Sequence, residues 1–193
     1  MKAGKVIRAF DAKDGRRVIL RTLKWDDLED CLEVINSLVE EKANIIRDGK
    51  VAKEAETTWL ANALSRMELG EVVYVVAEVD GKMVANSEIS RRLSGYDKHV
   101  GGIGIAIKNG HRDLGIGTEM MKTLIEQGKS WDLKVLKLSA FANNARAIHV
   151  YEKVGFVEVG RIPSKFFKEG QYVDSNNGYD AKVRYCQTSE SST

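Results

Sequence analysis

Apolar residues along this chain fall into runs whose spacing switches between the strand period and the helix period. Two branched-apolar runs open it, KVIRAF and RRVILRTL, and the DAKDG between them predicts a strand–turn–strand unit. The spacing then becomes helical. Leu28, Cys31, Leu32, Ile35, Leu38 and Val39 form one apolar face, with Asp26 and Asp27 in the first turn, where the helix dipole favours acids. A second helix is expected to carry Trp59, Leu60, Ala63, Leu64 and Met67 on one side. The runs VVYVVAEV and KMVANSEISRR flank Asp80-Gly81, a strong hairpin signal. Beyond a loop through SGYDKH, VGGIGIAI reads as a strand, and Met120, Met121, Leu124 and Ile125 mark another helix. KVLKLSAF is a strand, and Ala147, Val150, Tyr151 and Val154 line the helix after it. The last two strands, FVEVGRI to SKFF and QYVDSNNGYDAKVRY, surround Glu169-Gly170. The order β-β-α-α-β-β-β-α-β-α-β-β predicts an α/β fold with helices packed on a mixed sheet.

Composition narrows the class. The chain has 193 residues, 43% hydrophobic and 30% charged, the balance of a globular protein with a sizeable core. Pro163 is its single proline, and no repeat, linker or low-complexity tract divides it. Residues 1–187 are therefore expected to form one domain, with 188–193 a disordered tail. Lys+Arg 30 against Asp+Glu 28 leaves a net charge of +2 without a basic run, so nucleic acid is not the expected partner. Cys31 and Cys186 lie far apart, and His99, His111 and His149 share no ligand spacing, so no metal is expected. That cysteine usage, the lack of an apolar leader and the lack of a membrane-length apolar run suggest a cytoplasmic protein.

The stretch HRDLGIGTEMM carries the clearest chemistry, because glycines weaken the helix they open. The string GxxxxGK[ST] of a P-loop does not occur. A dinucleotide fingerprint needs a third glycine where Met120 stands, which disfavours nicotinamide binding. Gly102 and Gly104 lie inside a strand and read as close packing or a bulge. What is left is a run of backbone N–H groups at a helix N-terminus beside Arg112, which suits an anion. The alternative is a tight turn whose glycines only let a strand swing into a helix.

Arg112-x-x-Gly115-x-Gly117 resembles the R/Q-x-x-G-x-G/A signature of the GNAT superfamily of N-acetyltransferases. Downstream, NNARAIHVYEKVGF is similar to that family's second hallmark, with Asn144, Ala147, Tyr151, Lys153, Gly155 and Phe156 in the matching positions. The resemblance spans Val18 to Tyr185 and the element order agrees with it. It implies a mostly antiparallel central sheet, helices on both faces, and a splayed strand pair that holds acetyl-CoA. It further implies that Arg112, Asp113, Leu114, Gly115, Ile116, Gly117 and Thr118 bind the pyrophosphate, and that Ile105, Ala106 and Ile107 pair with the pantetheine arm. By the same resemblance Asn144 contacts that arm, although an N-cap is the ordinary use of such an asparagine.

Tyr151 matches the residue that protonates the leaving thiolate; the local pattern alone reads it as part of the apolar helix face. Where some members carry a basic glutamate this chain has Ser139, which leaves Glu88 as the candidate general base and His99 and Glu41 behind it. The implied activity is transfer of acetyl from acetyl-CoA to a primary amine by direct attack, without metal. A CoA-binding sensor or scaffold without turnover is the alternative. The acceptor is expected to meet EKANIIRDGKVAKE and SKFFKEGQYVDSNNGYDAK, where Asp174 lies in a GQYVD string. Phe166, Phe167, Tyr172 and Tyr179 there suit packing, a pocket or a homodimer surface.

Overall fold

The computed structural model describes residues 2–180. Its elements are β1 (Val6–Asp11), β2 (Arg17–Thr22), α1 (Leu28–Glu40), α2 (Lys53–Glu68), β3 (Val72–Val79), β4 (Lys82–Arg91), β5 (Val100–Ile107), α3 (Ile116–Ser130), β6 (Val135–Phe141), α4 (Ala145–Val154), β7 (Phe156–Lys168) and β8 (Gln171–Asp180). The expected tail, Cys186 and the end of the last predicted strand lie outside the described residues. No helix among those described is long and apolar enough to cross a membrane.

The strands form one sheet in the order β1-β2-β3-β4-β5-β6-β8-β7. Each neighbouring pair is antiparallel except β5 and β6, which run parallel and are linked by α3. This is the mostly antiparallel, helix-covered sheet expected from the sequence. Alternation along β3 and β4 sends side chains to two cores. Val73, Val75, Ala85 and Ile89 meet Met120, Met121 and Leu124 of α3 on one face. Val72, Tyr74 and Val76 meet Cys31, Val34 and Leu38 of α1 and Leu60, Ala63 and Met67 of α2 on the other. From Val72 to Ala77, β3 is a continuous buried and largely apolar run, because both its faces are covered.

One local reading of the sequence is corrected and another extended. Gly102 and Gly104 form no bulge, since β4 and β5 pair in unbroken register from Ala85–Ile107 to Arg91–Gly101. The tight contact falls on Gly101 instead, where an added Cβ would lie 2.7 Å from Leu133 and 2.9 Å from Leu136. Asp27 stands at the N-terminus of α1, as expected, and its carboxylate has partners beyond that turn. A 3₁₀ turn, Trp25–Asp27, precedes that helix, and the buried Asp27 carboxylate takes two hydrogen bonds from Arg21, each 2.8 Å. Glu78 accepts a third from the same guanidinium, at 2.7 Å. Burial opposes charge on Arg21, but the hydrogen bonds it donates to Asp27 and Glu78 outweigh that and keep the group firmly protonated. The triad thereby fixes β2 and β3 to the start of α1. Asp27→Ala would strand a buried guanidinium with half its partners, so urea unfolding should show a loss of about 3–5 kcal/mol. A change below about 1 kcal/mol would remove the triad from this role.

Candidate active site

β5 and β6 share only three residue pairs: Val100–Val135, Gly101–Leu136 and Gly102–Lys137. Past Gly102, β5 stays bonded to β4 as far as Ile107, while β6 stays bonded to β8 as far as Phe141. Each strand keeps its outer partner, so the facing edges part and their backbone groups line an open wedge. Such groups must be met by water or by a ligand. The closed end is packed hard: besides Gly101, a Cβ at Gly128 of α3 would lie 2.9 Å from Leu136 and 3.1 Å from Ile89.

The glycine turn lies at the open end of this wedge. Gly110, Asp113 and Gly115 all have positive φ, and Gly115, at +90°, is the residue before the first turn of α3. Nothing stands within 4 Å of a Cβ at Gly115, so conformation rather than space calls for glycine there. Gly117 differs, because its Cβ would come within 3.0 Å of Ile107 and 4.0 Å of Val150. It lets the start of α3 lie against β5 and α4. Among the described residues, the seven successive N–H groups from Arg112 to Thr118 donate no hydrogen bond to another protein group; Glu119 N to Gly115 O is the first of the helix. They sit at the positive end of the α3 dipole.

The Arg112 side chain does not add its charge to that row, as the sequence suggested it would. Its Nε donates to the Ile107 carbonyl at 2.8 Å, and its terminal nitrogens bind the Glu41 carboxylate. Glu41 is thereby committed, which removes it as a base. A cation that the sequence reading passed over does reach the turn: Arg146, in the first turn of α4, pairs with Asp113 at 3.1 Å. Nearby His111 is held below the usual imidazole range, by burial first and then by Arg16 and Lys108.

On α4, the Asn144 side chain accepts from Ala147 N at 3.2 Å and caps the helix. Tyr151 is partly buried against the α3-side core, its ring 6.3 Å from that of Phe156. Burial pushes its phenol up to about 12, so it keeps its proton across the neutral range.

Glu88 occupies the opposite face of the sheet. It pairs with Tyr74 on one side and Gly104 on the other, and a Cβ on Gly104 would lie 3.6 Å from its Cγ. Burial, and after it the charge of Glu88, raises the Tyr74 phenol well above its ordinary range. Across the wedge on the same face, Ser139 donates to Asn177 Oδ1. Glu88 and Tyr151 are therefore separated by the sheet, with the β5–β6 wedge as the opening between their two sides. His99 lies at the closed end, its carbonyl bonded to Lys134 N and Val135 N. Cys31 is buried and its thiol is raised, chiefly by burial, so it is a poor nucleophile.

The aromatic residues of the last hairpin separate. Phe166 stacks on Phe141 at 3.9 Å, whereas Phe167 and Tyr172 are exposed and meet each other; the Tyr179 side chain lies outside what is described. Asp174 accepts from Ser164 N at 2.9 Å and so braces the hairpin.

With this geometry in place, comparison with known proteins is specific. The model of the acetyltransferase (GNAT) family matches residues 33–156. L-amino acid N-acetyltransferase AaaT of Escherichia coli is 32% identical over 112 residues, which cover 57% of this chain and 67% of that protein. The crystal structure of ribosomal-protein-alanine N-acetyltransferase from Brucella melitensis superposes with a TM-score of 0.74 at 26% identity, covering 83% of this chain and 97% of the other. The yncA structure from Salmonella typhimurium, solved with its cofactor acetyl-CoA, shares the fold at a TM-score of 0.74 and 20% identity, over 84% and 92% of the two chains. The chain belongs to the acetyltransferase (GNAT) family and is an N-acetyltransferase.

Proposed function

We propose that this enzyme moves the acetyl group of acetyl-CoA to a primary amine, on a small molecule or polyamine or at a protein N-terminus, by direct attack in a ternary complex. The observation that carries the reading is the row of seven unpaired N–H groups at the mouth of the wedge. Row and dipole together suit a pyrophosphate, and the Thr118 hydroxyl stands beside them as a further donor. The edge of β5 from Ile105 through Ala106 to Ile107, apart from the Ile107 carbonyl that Arg112 occupies, offers donors and acceptors to the amides of a pantetheine arm, and Asn144 borders the same path. An N–H of that strand then meets the negative charge that develops on the thioester oxygen.

Glu88 takes a proton from the incoming ammonium through a water, on the acceptor face. Tyr151 serves the departing sulfur from the other face. A phenol near 12 is a weaker acid than a thiol, whose ordinary value is about 8.5. Lasting transfer from Tyr151 would therefore run uphill, so the group acts as a hydrogen-bond donor that yields its proton only as another arrives. Among the described residues the one cysteine, Cys31, is buried and offers no covalent route, in keeping with direct attack.

The test is release of free thiol from acetyl-CoA over a panel of amino acids, polyamines and N-terminal peptides. Acceptor-dependent release is expected; tight CoA binding without release for any amine would refute the reading. Three variants follow. Gly117→Leu should weaken acetyl-CoA binding in calorimetry about tenfold or more, because the side chain has only 3.0 Å before Ile107. Binding at wild-type strength would show that α3 need not approach β5. In Tyr151→Phe, kcat should fall about 10²-fold with acetyl-CoA affinity unchanged. Equal turnover would take Tyr151 out of the reaction. Glu88→Gln should lower kcat/KM for the acceptor about 10²-fold near neutrality. That deficit should shrink toward pH ~10, where amines lose their proton unaided. A pH-independent deficit would assign Glu88 to binding rather than to proton removal.

A further inference from the structure

The C-terminal turn of α1 is held from two directions. Helix α1 closes with Lys42 at φ +52°, a left-handed position more often filled by glycine. Lys42 N bonds to Val39 O at 3.0 Å and Ala43 N to Leu38 O at 2.9 Å. A lysine stays in that conformation only where its surroundings over-determine it. Here they do. Lys168 Nζ, from the β7–β8 hairpin, donates to Lys42 O at 2.6 Å, Ala43 O at 2.9 Å and Asn44 Oδ1 at 2.9 Å. Those three acceptors use the full donor capacity of one ammonium at the negative end of the α1 dipole. On the other flank, Glu41 is held by Arg112 of the glycine turn. The exposed Lys42–Glu169 pair adds little to this.

Position gives the pin its meaning. Ala43 and Ile45 pack into the same apolar cluster as Ala106, a wedge residue of β5. Lys168 Nζ lies 5.6 Å from the ring centroid of Phe141, the last residue of β6, which stacks on Phe166. The turn and the hairpin together therefore cross the open end of the wedge from the β5 side to the β6 side, on the face that carries Glu88. We propose that Lys168 is a positioning residue. By strapping residues 42–44 to the hairpin it bounds the acceptor space and confines the amine to the side of the strap nearer Glu88. The inference rests on the acetyl-transfer reading above, and its substance is that the strap acts on the acceptor and not on acetyl-CoA.

Lys168→Met keeps the length of the stem and removes the donors; Lys168→Arg keeps a cation that can reach the carbonyls. With the best acceptor from the panel, Lys168→Met should raise the acceptor KM about tenfold, with the KM for acetyl-CoA within about twofold of wild type, and Lys168→Arg should recover part of the loss. Hydrogen exchange on the protein without substrates should quicken at the Ala43 and Ile45 amides and stay unchanged in β3 and β4. Faster exchange with an unaltered acceptor KM would reduce Lys168 to a structural tether and overturn the proposal. Unchanged exchange would show that no strap exists. A wild-type protein that binds acetyl-CoA yet transfers to no amine would sink the transfer reading and the acceptor role with it, while the exchange data would still report on the pin.

Discussion

The pairing of β5 with β6 stops after Gly102 because each strand is already committed on its outer edge, one to β4 and the other to β8. At the closed end, glycines at 101 and 128 let β5, β6 and α3 approach to contact distance around Leu136. At the open end, Ile105 and Ile107 of β5 and Val150 of α4 converge on Gly117 in the first turn of α3. Strands packed tightly at one end and held apart at the other leave backbone donors and acceptors without protein partners. Most sheets hide such edges. Here the edge opens toward the two helix N-termini whose residues the motifs single out, and the site is built around it.

Charge at the mouth of the wedge comes from the backbone more than from side chains. Arg112, the one cation inside the motif, is spent on Ile107 and Glu41, and Arg146 is paired with Asp113. In the proposed binding mode, anion recognition falls to N–H groups and the α3 dipole, which are fixed in place and need no reorganisation when charge arrives. The same sheet keeps the two titratable candidates apart. Tyr151, on the α3–α4 side, is desolvated and stays protonated, while Glu88, on the α1–α2 side, lies close enough to act on the Tyr74 phenol. In the proposed reaction, proton donor and proton acceptor would thus work from opposite faces of one opening, where they cannot neutralise each other.

Local signals made much of this legible. Period-two and helical spacing located the elements, Asp80-Gly81 and Glu169-Gly170 marked their hairpins, and Gly115 was recognisable because a helix-opening turn with positive φ needs it. Asn144 fits its cap because capping is settled within three residues. The parts that escaped depend on distant partners. Nothing near Arg112 in sequence says that Glu41, 71 positions earlier, will occupy it. Lys168 and its acceptors are separated by 124–126 positions, and the acids at the start of α1 do not announce that β2 will bring Arg21 against Asp27. Gly101 looked less telling than Gly102 and Gly104, since only the packed leucines show which glycine is crowded.

The most direct measurement is a backbone amide NMR titration with CoA. The resonances of Asp113 to Thr118, together with those of Ile103 to Ile107 along the free edge of β5, should shift together and saturate at one equivalent. Shifts confined to surfaces away from the wedge, or no change at the Gly115–Thr118 amides while CoA is bound, would contradict the assignment of the unpaired N–H row as the pyrophosphate cradle.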